Sequence, residues 1–128
     1  MPEAKGTFQI KTWEGETYEE AEGAVLSKAS LTKEFEGDFT GTSSAELLLA
    51  EAHGARAYVG MERIDGTLDG ATGTFVVQHW ALSSKDGDKL TVNVVPGSGT
   101  AALEGITGTM EISVDEGGGH HYSLSYDL

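Results

Sequence analysis

Three residues have the type and the strand parity for proton chemistry: Lys33 in "ASLTKEF", Glu62 in "YVGMERI" and His79 in "FVVQHW". Successive strand residues point to opposite faces. Lys33 therefore shares a face with Ala29, Leu31 and Phe35, Glu62 with Tyr58, Gly60 and Ile64, and His79 with Phe75 and Val77. A carboxylate withdrawn from water beside a Lys or His has a displaced pKa and can serve as acid or base near neutral pH. The competing reading is a structural ion pair, or a Lys whose stem packs while its head reaches water. Register decides between them, because a slip of one residue exchanges Glu62 for Arg63 and His79 for Gln78. We place His79 inward. Phe75 follows Gly73 as Met110 follows Gly108, and Met110 lies on an apolar face with Ile112 and Val114. Val76 and Trp80 then face outward, where they would pack on a neighbouring subunit.

Other motifs are weaker. Tyr58, Tyr122 and Tyr126 can donate hydrogen bonds into a pocket, or be plain core aromatics. His120 and His121 are adjacent, so their side chains diverge on a strand, and His53 is distant in sequence. No metal site is expected from that spacing. "PGSGT" (96–100) has neither a following helix nor a Lys, so it reads as a bend and not as a phosphate loop. Neither a nucleophile elbow nor a dinucleotide fingerprint is present, and no cofactor is expected. Glu16, Glu19, Glu20 and Glu22 read as a solvated acidic loop without calcium-loop spacing.

The elements that must position these residues are strands. Met110, Ile112 and Val114 alternate with Thr109, Glu111 and Ser113, and Tyr122, Leu124 and Tyr126 alternate with His121, Ser123 and Ser125. That period of two marks half-buried strands. Strands are expected near 5–13, 25–39, 55–68, 72–83, 89–96, 106–115 and 120–127. "LDGATGTF" (68–75) and "LEGITGTM" (103–110) form an internal repeat whose acidic–Gly pair suits a tight hairpin. Its second Gly suits a bulge or bend early in the returning strand. "SKDGDK" (84–89) is a third hairpin signal. The exception is "SSAELLLAEAHG" (43–54), which on local rules is a helix with Ser43 and Glu46 at capping-box spacing and Gly54 at its end.

The chain has 128 residues, 38% hydrophobic and 23% charged, with 18 Gly and 2 Pro, as expected for one domain of short strands and tight turns. Its 21 acidic and 8 basic residues give a net charge of −13. That field repels phosphate backbones and anionic lipid, so neither nucleic acid nor membrane is an expected partner. There is no Cys, which excludes disulfides and thiolate chemistry. No signal-peptide pattern opens the sequence and no apolar run approaches the ~20 residues of a membrane span. A cytoplasmic location is the expectation.

Seven or eight antiparallel strands cover their apolar faces by closing into a barrel or stacking as a sandwich, and regular hairpins favour an up-and-down barrel. In order, "GTFQIKTW", "VLSKASLTKEFEGDFTGTSSAELL", "YVGMERIDGTLDGATGTFVVQH" and "VVPGSGTAALEGITGTMEIS" resemble a family of small bacterial proteins of unknown function grouped with the allene oxide cyclase-like barrels. The resemblance covers nearly the whole chain, most specifically in the third block. It implies one all-β domain over 1–128, an eight-stranded antiparallel barrel, often oligomeric, with a lumen for a small apolar molecule. It also implies that 43–52 is a strand, against the local reading. Plant allene oxide cyclases cyclise an unstable fatty-acid epoxide in a shaped apolar lumen. Their catalytic residues do not match this chain position by position, and that activity is not transferred.

The resulting expectation is a barrel that binds a small apolar or partly polar organic molecule, as a homo-oligomer (dimer or trimer). Its lumen would be lined by Tyr58, Phe75, Val77, Met110, Ile112, Tyr122 and Tyr126. Any catalysis would be a cofactor-independent isomerisation, cyclisation or proton transfer, with Glu62 and His79 as acid/base groups and Lys33 as electrostatic partner. The alternatives are a non-catalytic carrier or sensor, and an interaction protein with a solidly filled barrel.

Overall fold

Alternation becomes eight antiparallel strands in the computed structural model, which describes residues 1–128. They are β1 (Glu3–Ala21), β2 (Ala24–Gly37), β3 (Phe39–Ala52), β4 (Ala55–Leu68), β5 (Ala71–Ser84), β6 (Gly87–Val94), β7 (Thr107–Val114) and β8 (His120–Asp127). Each strand pairs with its sequence neighbour and β1 closes on β8, giving an up-and-down barrel. The β4–β5 hairpin turns on Asp69 (φ 48°) and Gly70 (φ 81°). Two successive positive φ values are what a primed two-residue turn requires. No helix is long and apolar enough to cross a membrane.

Residues 43–52 are strand, not helix: β3 pairs with β2 and β4 along its length, from Phe39↔Leu68 to Ala52↔Ala55 on the β4 side. Two ladders of backbone hydrogen bonds and inward burial of Ser43, Ala45 and Leu47 outweigh a local helix preference. The acidic stretch is likewise no loop. β1 continues to Ala21, opposite Ala24, through register shifts at Ile10/Thr12 and Thr17/Glu19. Acidic side chains and bulges along a free strand edge discourage edge-to-edge association, which accounts for Glu14, Glu16, Glu19 and Glu20 there.

The barrel closes unevenly. β8 pairs with β1 only from Glu3 to Phe8, and β7 meets β6 only at Val92↔Met110 and Asn93↔Thr109. Gln9–Ala21 of β1 and Gly87–Thr91 of β6 thus have a strand on one side only. The lower half is a closed tube and the upper half is splayed open.

A core cluster of 16 buried residues fills the lower half, among them Phe8, Phe35, Phe39, Ile64, Phe75, Val77 and Leu124. Phe35 meets Phe39 and Tyr122 edge-on at 5.7 and 5.6 Å between ring centroids, inside the favoured range for aromatic pairs. The connection after β6 plugs the bottom. Its single 3-10 turn, Ala101–Leu103, delivers Leu103 and then Ile106 into the core, both fully buried. The second copy of the internal repeat is therefore no hairpin: Glu104–Gly105 lead from the plug into β7. Gly73 also serves a close approach and not a bulge, since pairing with β4 is unbroken and a Cβ there would lie 2.2 Å from the Thr100 carbonyl oxygen.

Candidate functional site

Directly paired residues of an antiparallel sheet project from the same face, so the inner wall reads as rows stacked up the barrel. The lowest relevant row is Lys33–Ser43–Ile64–Phe75, followed by Leu31–Ala45–Glu62–Val77. Above these come Ala29–Leu47–Gly60–His79 and then Ser27–Leu49–Tyr58–Ala81. Polar side chains climb this wall one row at a time, from Lys33 and Ser43 to Glu62, His79 and Tyr58.

The climb is hydrogen-bonded throughout. Glu62 Oε1 lies 2.7 Å from His79 Nε2 and 3.2 Å from Lys33 Nζ. Ser43 Oγ donates to Glu62 Oε2 at 2.5 Å, and Tyr58 Oη lies 3.5 Å from His79 Nδ1. Glu62 is 1% exposed, His79 3% and Lys33 7%. The Lys33 ammonium also sits 4.6 Å over the Phe8 ring, a cation–π contact at the floor of the site. No buried side-chain nitrogen or oxygen lacks a partner.

The charges follow from these contacts. Burial pushes the Glu62 carboxyl up, but the His79 hydrogen bond, the Lys33 charge and the Ser43 hydroxyl outweigh it and hold the group below its ordinary value. Glu62 is therefore a carboxylate at neutral pH with both oxygens engaged. Burial, then the Glu62 charge, raises the Tyr58 phenol, which stays protonated. The partners assign the imidazole hydrogen in its neutral form: Nε2–H donates to Glu62, leaving Nδ1 to accept from the Tyr58 hydroxyl.

Small residues interrupt the wall at the level of His79. Gly60 and Ala29 share its row, and Gly15 pairs with Ala29. The space beside Gly15 and Ala29 opens into a mouth cavity of about 1020 Å³ whose inward-facing lining includes Trp13, Ser27, Leu49, Tyr58, Ala81 and Leu90. Glu51, Arg56 and Asp88 stand at its rim. A second cavity, of about 780 Å³, is bordered by Leu47, Gly60 and His79 of that row and by the outward-facing Glu14, Ser30, Glu46 and Met61.

The sequence-derived candidates divide between the two halves. Lys33, Glu62 and His79 come together as one buried group, with Gln78 and Trp80 on the outer face. Tyr58 lines the mouth. Phe75, Val77, Met110, Tyr122 and Tyr126, expected as lining, are packed in the filled lower core, with half-buried Ile112 against them. None of these six lines the mouth cavity. Tyr122 is a clamp: its hydroxyl accepts the Phe39 N–H at 2.9 Å and faces the Phe39 carbonyl at 3.0 Å, tying β8 to the β2–β3 corner. His120 stacks on Phe8, and His121 bonds Asp115 across the β7–β8 turn at 2.8 Å. No group of three or more His, Asp or Glu side chains converges to hold a metal.

Sequence reasoning missed Ser43, Trp13, Leu49 and Leu90. On local rules Ser43 reads as a helix cap. Its parity with Ala45 and Leu47 is the signal that would have placed it inside, once 43–52 is taken as strand.

The profile of the family described as "Protein of unknown function (DUF3224)" matches residues 4–126. A crystal structure at 1.84 Å resolution of a DUF3224-family protein of unknown function from Shewanella oneidensis MR-1 superposes with a TM-score of 0.91 at 34% identity. The match covers 100% of this chain and 98% of that one. No curated protein matches the sequence. With the profile spanning nearly its whole length and the barrel shared throughout, the chain belongs to the DUF3224 family.

Proposed function

We propose that this protein is a cytoplasmic, small-molecule-binding barrel whose ligand sits in the upper mouth, with the Tyr58–His79–Glu62 chain moving a proton at its floor. One observation carries the reading: an ordered relay of buried, fully partnered polar groups ends on a tyrosine that lines a cavity of ligand size. Buried polar networks are costly unless satisfied. The only relay tyrosine reaching the cavity lies at its top, which supports cofactor-independent proton transfer or isomerisation over a purely structural ion pair. Glu62 orients the imidazole and balances the charge it acquires, while Lys33 and Ser43 hold Glu62 in place.

Native mass spectrometry of protein isolated from its own host, followed by solvent extraction, tests the reading. A stoichiometric organic ligand is expected on the wild type and none on Ala81→Trp, which fills the mouth. Retention by Ala81→Trp would place the ligand elsewhere and overturn it.

A homo-oligomer has its own support. On the outer face, Leu48, Val59 and Trp80 form one cross-strand row and Ala50, Ala57 and Leu82 the next, without a charge among them. Leu48, Val59, Trp80 and Leu82 are exposed in the single chain. Contiguous apolar patches of that kind mark interaction surfaces. Light scattering on wild type and Trp80→Glu checks it: a dimer or trimer that falls to monomer is the expected result.

A further inference from the structure

Resting on the mouth as the binding site, we infer that its ligand is an uncharged compound with a flat apolar body and a ketone or aldehyde oxygen that accepts the Tyr58 hydroxyl. The charge at the floor sets the first half of this. Lys33 is the only cation there and Glu62 already neutralises it at 3.2 Å, so nothing at the floor pairs with an anion. Around the cavity three acids, Glu16, Glu51 and Asp88, offset three bases, Lys28, Arg56 and Lys89, within a chain of net charge −13. That field works against an anionic ligand. A cationic group at the floor finds no acceptor, because Lys33, His79 and Ser43 occupy both Glu62 oxygens.

The floor instead offers a donor. Tyr58 remains a phenol, and its 3.5 Å contact with His79 Nδ1 is long enough to be given up for a better acceptor. A carbonyl oxygen accepts and never donates, so it fits that donor. The body of the ligand meets Trp13, Leu49, Ala81 and Leu90, an indole and aliphatic wall suited to a flat apolar group.

This placement makes a balanced reaction. When Tyr58 turns to the carbonyl, Nδ1 of His79, which lies directly behind the hydroxyl, is uncovered. It takes a proton from the carbon next to the carbonyl, and the C–H electron pair moves into an enolate whose oxygen Tyr58 stabilises. The imidazolium is held by the Glu62 carboxylate. Return of the proton to the same carbon gives exchange; return to a conjugated carbon gives an isomer. No oxidant or cofactor enters the balance.

Three probes of one shape test it: benzylideneacetone (an aryl ketone), cinnamate (its anionic counterpart) and β-methylstyrene (its hydrocarbon counterpart). Binding is read from the Trp13 indole N–H resonance, assigned with Trp80→Phe. Exchange is read from loss of the ketone's methyl proton signal in heavy water. We expect the ketone to shift the Trp13 resonance, cinnamate to bind at least tenfold more weakly, and the protein to accelerate methyl exchange. Tyr58→Phe should weaken the ketone about tenfold without weakening β-methylstyrene, the loss of one hydrogen bond. His79→Gln should abolish the acceleration while leaving ketone binding within threefold. The unshifted remainder of each variant's amide spectrum verifies its fold. If cinnamate binds as tightly as the ketone, or Tyr58→Phe weakens all probes alike, the ligand class is wrong and the mouth site stands. If none of the three moves the Trp13 resonance, the mouth site itself falls, and this inference with it.

Discussion

The lower and upper halves of the barrel are built from the same strands with the same alternation, yet one is solid and the other hollow. Below, Phe35, Phe39, Ile64, Phe75 and Leu124 meet across the axis, and Leu103 and Ile106 stopper the end. Above, the inner rows carry Gly15, Ser27, Ala29 and Ala81, and the wall leaves about 1020 Å³ open. Topology does not differ between the halves; side-chain volume and closure of the seam do. An eight-stranded barrel is near the size at which its interior can be either packed or hold one small ligand. Here it does one at each end. The polar group of Lys33, Ser43, Glu62 and His79 lies at the boundary, where packing ends and space begins.

The sharpest way to break this comparison is to truncate one large inward side chain in each half. Phe75, 1% exposed, touches neighbours on every side, so Phe75→Ala should cost about 3–5 kcal/mol through lost burial plus the cavity left behind. Leu90, 42% exposed at the mouth, should cost under about 1 kcal/mol as Leu90→Ala. Urea unfolding of both variants measures the difference. Equal costs would mean that the mouth is packed in solution, and the two halves would then be alike.

At the boundary, Glu62→Gln removes the charge that neutralises buried Lys33, and a cost of about 3 kcal/mol is expected for an uncompensated buried ion. The pH dependence gives the sign. The folded Glu62 carboxyl lies below its ordinary value of 4.5, so its contribution is complete above that value and is lost as pH falls through the folded pKa. Wild type and Glu62→Gln should thus differ most near neutrality and converge in acid. A gap that stays constant down to acid pH would mean that the carboxylate is not what stabilises the group.

Much of this arrangement was legible in the sequence because strand parity is a two-valued question. Once Phe75 and Met110 were set inward, His79 followed, and Glu62 and Lys33 fell on matching faces. The helix signal in 43–54 failed because Ala, Leu and Glu report local preference, whereas β3 is held by ladders to two neighbours. The hollow half could not be located from parity, since parity tells inside from outside but not upper from lower. That needs the stagger of the strands around the barrel. It is the stagger that sets Tyr58 beside His79 at the mouth and Tyr122 at a closed corner, although both tyrosines sit on inward faces. The acidic run reads as a loop for a related reason. Glu is a poor strand former in isolation, and its place on an unpaired edge appears only when the seam between β1 and β6 is known.

That seam gives the gentlest test, one that perturbs nothing. Along an antiparallel strand, successive amides point alternately to the neighbour on one side and the neighbour on the other. In Gly6–Phe8 both neighbours exist, since β8 lies on one side and β2 on the other. In Gln9–Ala21 only β2 remains. Native-state hydrogen exchange should show Gly6, Thr7 and Phe8 uniformly protected. Beyond Phe8, every second amide should exchange at close to the unprotected rate, with the phase of the alternation shifting at the Ile10/Thr12 and Thr17/Glu19 bulges. Uniform protection along the whole of β1 would require something to pair with that edge in solution. Whatever paired there would also wall the open side of the mouth, and the contrast between a filled half and an open half would then hold only for the isolated chain.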